Sequence, residues 1–394
     1  MNILFCNYEY PPLGGGGGVV MAALARELAR RHQVTVLTSR AFDLPAESDD
    51  HGVRVVRVPV FFRTQLATAN FPSMLAYLPT AILRGLGMRR TSQFDVINTH
   101  FVVPSGPVGQ WLARSFRVPN VLSVHGGDLY DPSKRSSPHR HAWLRAPIRS
   151  MLRDADALVG QSRDTVRRVE DLYGVRRPTE LIPLGIERPT PAPEATREAF
   201  GIPADAFVML TIGRIVPRKS SVQLVKALVA ADRSKAHLVL CGDGPDAVAV
   251  RDEAHQAGVA DRVHLLGQVS EARKCAALAV SDIFVSTSQH EGFGLVFLEA
   301  MAFGLPVVCY DRGGQTDFLR TPDTGYVIEL NDLEAFTRAI VDLHDRPEMR
   351  REIGRANLQY VEQFFIDRCA ERYEAVFDNV CARRASKPSL GAAR

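Results

Sequence analysis

Short aliphatic and β-branched runs alternate with amphipathic stretches along the whole chain. In the first half the runs are Asn2–Asn7, Val34–Thr38, Val53–Val58, Asp95–Asn98, Asn120–Val124 and Ala157–Gly160. Each is too short for a helix and precedes a segment of helical period, a pattern that predicts strands of a parallel α/β sheet. The alternation stops at Glu187-Arg188-Pro189-Thr190-Pro191-Ala192-Pro193, whose three prolines sustain neither a helix nor an inner strand. It resumes with Phe207–Ile212, Ala236–Cys241, Arg262–Leu266, Asp282–Thr287 and Pro306–Tyr310, separated by helical segments such as Ser221–Ala231 and Pro245–Ala257. From Asn331 onward the pattern is helical. The expected organisation is two doubly wound domains, 1–186 and 197–365, joined by a linker at 187–196. A last helix at 366–384 is expected to cross back to the first domain, with a flexible tail at 385–394. In such sheets ligands bind beyond the carboxyl ends of the strands, so the chemistry belongs in the loops that follow them.

With 394 residues, 46% hydrophobic and 23% charged, each half is large enough to bury its own core. No run of about 18 uncharged apolar residues offers a membrane span. Met1-Asn2 leads directly into Ile3-Leu4-Phe5-Cys6 without the charged and small-residue marks of a secretory leader, so a soluble or peripheral protein of the cytoplasm is expected. The six cysteines form no CxxC pair and read as reduced small hydrophobes. A net charge of +4 does not call for nucleic acid.

The densest local signal is Ser288-Gln289-His290-Glu291-Gly292-Phe293-Gly294-Leu295-Val296-Phe297-Leu298-Glu299-Ala300. A strand ends at Ser288, a glycine-bracketed turn follows, and a helix is expected from Leu295 to Phe303. The free amides of Gly294, Leu295 and Val296 would favour an anion such as a diphosphate. Glu299, one turn inside, suits two vicinal ribose hydroxyls, and Glu291 on the loop suits hydroxyls of a transferred sugar. A turn and helix with surface glutamates is the plain alternative. Gly213-Arg214-Ile215-Val216-Pro217-Arg218-Lys219 follows the first strand of the second half. Arg214 and Lys219 there suit an anionic group such as a diphosphate, or else form a solvated basic loop.

Gly14 to Gly18 form a loop between the first strand and a helix expected near Val19. No Gly-Lys-Ser/Thr follows, and Val19 and Val20 stand where a dinucleotide motif needs its last glycine, so backbone contact to phosphate or sugar, or simple flexibility, remains. His125 ends a strand before Gly126-Gly127-Asp128 and is read either as structural or as a site residue; His100 ends the strand before. Asp154-Ala155-Asp156 reads as a turn and not as a metal site, and His139-Arg140-His141 lacks a third ligand. Lys134, Arg135, Arg140, Arg145, Arg149 and Arg153, with Trp143 and Leu144, form a basic cluster. It suits an anionic membrane surface, helped by Phe61-Phe62-Arg63 and the apolar stretch Phe71 to Leu86, or else a helix pair with solvated arginines.

Glu291 and Glu299 have the E-x7-E spacing of the retaining GT-B glycosyltransferases of glycosyltransferase family 4, which the chain resembles over essentially its whole length. The loop Gly213–Lys219, the segments Cys241-Gly242-Asp243-Gly244-Pro245 and Val124-His125-Gly126-Gly127-Asp128, and the N-terminal glycines match in family order. Ser220 departs, standing where the family usually has glycine. The resemblance implies an α/β GT-B fold, two Rossmann-like domains facing a central cleft, with the acceptor side first and the donor side second. It implies a donor site of Gly17, Gly18, Arg214, Lys219, Val269, Glu291, Phe293, Gly294, Leu295 and Glu299, with the nucleotide base lying near Val269. His125, Glu291, Arg214 and Lys219 would serve catalysis, His125 touching the donor sugar with its carbonyl facing the anomeric carbon. The implied activity is metal-independent hexose transfer from a UDP- or GDP-sugar to a glycolipid, lipid-linked saccharide or polysaccharide, with no cofactor. The alternatives are a nucleotide-sugar epimerase on the same fold and a non-catalytic nucleotide-sugar-binding subunit.

Overall fold

The computed structural model describes residues 1–66, 69–131, 137–192 and 194–386. The chain divides into two compact units, one of Met1–Glu187 with the C-terminal stretch from Phe364, the other of Arg188–Gln363.

The strands of the first unit are β1 (Asn2–Cys6), β2 (Gln33–Arg40), β3 (Glu47–Asp50), β4 (Val53–Pro59), β5 (Val96–His100), β6 (Asn120–Val124), β7 (Ala157–Gly160) and β8 (Glu180–Leu181). Among the described residues they form one sheet in the order β3-β4-β2-β1-β5-β6-β7-β8, parallel except for the β3–β4 pair. The two-residue period of β1 explains why it sits at the centre. Ile3 and Phe5 join a core with helix Gly16–Ala29 and helix Ile366–Ala385, while Leu4 and Cys6 join the opposite core against helix Phe71–Met88. A strand apolar on both faces needs helices on both sides.

The strands of the second unit are β9 (Phe207–Ile212), β10 (Ala236–Cys241), β11 (Val263–Leu265), β12 (Ile283–Ser286), β13 (Val307–Tyr310) and β14 (Gly325–Ile328). All the pairs are parallel, in the order β11-β10-β9-β12-β13-β14. Both sheets are Rossmann-like. Each reverses its strand order once, at β1/β5 and at β9/β12, and the loops leaving those adjacent strands are where such sheets hold ligands.

Several expectations are corrected in detail. The glycine loop is shorter than expected, because the first helix begins at Gly16 and not near Val19. Glycine disfavours helix, but the buried face of Val20, Met21, Leu24, Ala25 and Leu28 fixes this one by packing. β3 has the sequence Glu-Ser-Asp-Asp, with no strand propensity; β4 templates it as an antiparallel edge, where Glu47 pairs with Arg54 at 3.0 Å. β14 is another strand that the pattern does not announce. The helix expected at Pro245–Ala257 spans Ala247–Gln256, and the strand expected from Arg262 starts at Val263. The last helix reaches Ala385; the remaining tail from 387, and Pro193 of the linker segment, lie outside the described residues.

Candidate active site

At the carboxyl end of β9 the chain turns through Gly213 (φ 145°) into the loop that carries Arg214, Arg218 and Lys219. This turn is closely packed. A Cβ on Gly242 would lie 1.9 Å from the Gly213 carbonyl oxygen, and one on Gly244 would lie 2.1 Å from that of Ile215. Next to it, the loop after β12 brings Glu291 against the basic residues. Lys219 Nζ donates to Glu291 Oε1, and Arg218 donates to the His290 carbonyl and, at 3.3 Å, to Glu291 Oε2. Glu291 is 7% exposed. Burial acts to raise its carboxyl, but Lys219 and Arg218 overcome it and hold the group at about 2. Arg214 is exposed, and its guanidinium makes no ion pair or hydrogen bond among the described residues.

After Glu291 the chain enters helix Leu295–Ala302 through Gly294 in the left-handed region (φ 94°), and no side chain caps that N-terminus. The partial positive charge of the helix end is thus left for a ligand. Glu299 lies one turn along and accepts from Lys274 Nζ at 3.0 Å; Lys274 also pairs with Glu271 at 2.9 Å. Burial raises the Glu299 carboxyl despite Lys274, the reverse of Glu291. Ser220, the departure from the family pattern, has φ 50°, which explains why glycine suits that position. The Thr287 hydroxyl steadies it by donating to the carbonyls of Lys219 (3.1 Å) and Ser220 (3.0 Å).

In the first unit, Gly17, Phe101 and His125 form a stack. A Cβ on Gly17 would stand 2.5 Å from Phe101 Cζ, and the Phe101 ring lies 4.3 Å from that of His125. The His125 loop is fastened by the buried Asp128, whose carboxylate accepts from His125 N (3.0 Å) and Val102 N (2.7 Å). His125 Nε2 meets His100 Nδ1 at 2.9 Å. Burial pushes the His125 imidazole down to about 4, so it is neutral at physiological pH.

Residues 14–188 match the family described as Glycosyltransferase Family 4, and residues 193–359 match Glycosyl transferases group 1. The chain is 30% identical to a D-inositol 3-phosphate glycosyltransferase of Acidothermus cellulolyticus, covering 95% of this chain and 88% of the relative. It is 28% identical to a GDP-mannose-dependent alpha-(1-6)-phosphatidylinositol monomannoside mannosyltransferase of Mycolicibacterium smegmatis, covering 89% and 91%. The fold is similar to that of Anabaena HepE in complex with UDP, with a TM-score of 0.78 at 20% identity over 96% of this chain and 100% of that one. The chain belongs to the family 4 glycosyltransferases. Its fold is GT-B.

The structure of this glycosyltransferase brings Lys219 and Glu291 together and leaves Arg214 on the same loop, free to turn toward a ligand. Gly294 and Leu295 stand at the uncapped helix end, and Val269 is half-buried in the loop after β11, whose Gly267 carbonyl accepts from Gly242 N at 2.8 Å. Phe293 is buried, and its ring packs on Phe318. Gly18 is buried in the first turn of its helix. The His125 carbonyl accepts from Gln161 Nε2 (2.7 Å) and Gly127 N (2.9 Å). Asp154 and Asp156 hold local structure, the first accepting from Arg114 (2.9 Å) and the second from Asn120 N (2.8 Å).

Arg218 and Lys274 were not legible as site residues. Arg218 shares a motif with two more obvious cations, and Lys274 sits in an ordinary amphipathic helix that only the fold brings to Glu299. Gly17→Ala is expected to push the Phe101 ring against His125 and lower kcat/KM roughly tenfold with little change in Tm, because a ring end yields more easily than backbone. Steady-state kinetics with a thermal melt checks this, and unchanged kinetics would separate the stack from the reaction.

Proposed function

We propose that this glycosyltransferase moves a hexose, with retention and without a metal ion, from a UDP- or GDP-sugar to a glycolipid, lipid-linked saccharide or polysaccharide acceptor. The observation that carries the reading is the cation pair on one loop, Lys219 against Glu291 and Arg214 unpaired, beside an uncapped helix N-terminus. An ammonium has three donors, so Lys219 can hold Glu291 and still donate to a phosphate oxygen. These groups stabilise negative charge where it develops, as the bond from the anomeric carbon to the diphosphate oxygen breaks. The acceptor hydroxyl attacks from the same face, its proton passes to the departing diphosphate, and the nucleoside diphosphate leaves. Glu291 positions sugar hydroxyls. A carboxylate held at about 2 by two cations is a weak base and a weak nucleophile. The UDP bound to HepE and the GDP-mannose dependence of the mycobacterial relative support a nucleoside diphosphate donor.

Incubation with UDP-glucose, UDP-N-acetylglucosamine or GDP-mannose and lipid-linked acceptors, in EDTA, is expected to give a product with the donor's anomeric configuration. Loss of transfer in EDTA, or an inverted anomer by NMR, would overturn the metal-free or the retaining reading respectively.

The acceptor class also draws on the surface of the first unit. Phe61, Phe62, Phe71, Leu75 and Trp143 are exposed, and the Phe71 and Trp143 rings meet edge to face at 6.0 Å. Arg145, Arg149 and Arg153 are exposed on the helix that carries Trp143; Lys134 and Arg135 lie outside the described residues. Among the described residues, no helix is long and apolar enough to cross a membrane. Aromatic anchors beside arginines support peripheral binding to an anionic leaflet at the cytoplasmic face. The protein is expected to float with phosphatidylglycerol vesicles at low salt, not with neutral ones, and Phe71→Ser with Trp143→Ser should abolish flotation.

A further inference from the structure

Behind His125 lies a buried chain of polar groups that the reaction as described does not use. Asn98 and His100 are alternate residues of β5, 0% and 1% exposed. Asn98 Nδ2 donates to the Val121 carbonyl at 3.1 Å and to Ser123 Oγ at 3.2 Å, while Asn98 Oδ1 meets His100 Nε2. His100 Nδ1 meets His125 Nε2 at 2.9 Å, and His125 Nδ1 is buried without a partner among the described residues.

A carbonyl oxygen only accepts, so the Asn98 atom facing Val121 is the amide nitrogen and the oxygen faces His100. That oxygen requires a proton on His100 Nε2. His100 is buried against Phe5, its rings 5.5 Å apart, and burial drives its pKa well below the usual histidine value, so it carries one proton only. Its Nδ1 is therefore an acceptor, and His125 Nε2 must donate to it. His125 is neutral as well, which leaves its buried Nδ1 without a proton and, among the described residues, without a hydrogen-bond partner.

We propose that Asn98 and His100 are positioning residues that lock His125 in its Nε2–H tautomer, so that His125 Nδ1 accepts a hydroxyl of the transferred sugar and cannot donate. The assignment of that hydroxyl to the sugar rests on the proposed function; the tautomer lock does not. Other groups around the pair add no cation; the further polar neighbour of the His125 ring is the neutral amide of Gln161, whose Nε2 donates to the His125 carbonyl. Asp128 fastens the His125 backbone, Tyr373 from the last helix lies 5.9 Å from the His100 ring and donates to Ser123 Oγ, and Phe101 covers the His125 ring.

Long-range ¹H–¹⁵N correlation of the ¹⁵N-histidine-labelled full chain, without ligand, reads the tautomer directly. His125 is expected to show protonated Nε2 and bare Nδ1; a proton on Nδ1 in the unaltered protein would overturn the lock. Asn98→Leu removes the acceptor and is expected to give a tautomer mixture at His125 and to lower kcat by roughly ten- to a hundredfold. Asn98→Asp keeps an acceptor and is expected to restore the tautomer and most of kcat near pH 8. Its carboxylate raises the His100 pKa, so His100 gains a second proton as pH falls, Nδ1–H then donates to His125 Nε2, and kcat at saturating donor should acquire an acid limb absent from the parent. A His125 tautomer unchanged in Asn98→Leu, or a flat pH profile in Asn98→Asp, would overturn the proposal whether or not the donor assignment holds.

Discussion

Lys219→Ala is expected to cut turnover by about two to three orders of magnitude with donor binding reduced far less, since the charge it meets develops mainly in the transition state. Glu291 is the internal control. Removing Lys219 leaves that buried carboxylate with Arg218 at 3.3 Å as its remaining close cation, so its pKa should rise. The sign of the pH dependence follows. A carboxyl at about 2 in the fold, against the ordinary glutamate value of 4.5, contributes about 3 kcal/mol of stability that is present above pH 4.5 and lost as pH falls toward 2. Urea unfolding of the parent should weaken across that window, and Lys219→Ala should show a smaller loss across it. Single-turnover kinetics gives the catalytic half of the test. Turnover within threefold of the parent would mean that the diphosphate is neutralised elsewhere.

Glu299→Gln is expected to act on binding and not on turnover. A carboxylate accepts from two vicinal hydroxyls at once, whereas an amide offers one accepting oxygen, so a charge-assisted hydrogen bond is lost. That interaction is worth about 1.5–3 kcal/mol, or roughly ten- to a hundredfold in affinity. Titration calorimetry with UDP and GDP should find this loss, with kcat at saturating donor nearly unchanged. The raised pKa of Glu299 sharpens the prediction: the parent's nucleotide affinity should fall on mild acidification, as the carboxyl takes up a proton, and Glu299→Gln should lack that dependence. A nucleotide lacking the ribose 2′-hydroxyl should bind the variant and the parent with similar affinity. If Glu299→Gln bound UDP and GDP as the parent does, the glutamate would be a partner of Lys274 alone.

The sheet cores were legible because β1, β9 and β13 are near-continuous apolar runs whose length and flanks leave little choice of element. The polar edge β3 was not, since its pairing comes from the neighbouring strand and not from Glu47–Asp50 themselves. The same division applies to the site. Glu291, Glu299, Arg214 and Lys219 stand within two short motifs, to which spacing and the family resemblance together pointed. Lys274 reaches Glu299 from a separate helix, and Asn98 reaches His125 only through His100; both relations exist only after folding. The low pKa of Glu291 and the raised one of Glu299 were equally invisible, because two glutamates at fixed spacing look alike until burial and their neighbours differ.

The return of the chain at Phe364 also bears on how the molecule is made. Tyr373, Val376 and Phe377 belong to the core around β1, and Gly185 leaves no room for a side chain because the Ile366 Cα would stand 2.8 Å from its Cβ. During synthesis the first unit therefore waits, with the apolar face of β1 incompletely covered, while Arg188–Gln363 emerges and can close its own sheet. The part translated first is the part completed last. Ribosome-stalled chains should accordingly show protease resistance for 188–363 before 1–187, and exchanging the second unit between relatives at the proline linker requires a second junction near residue 363, so that the final helix stays with the unit whose core it fills.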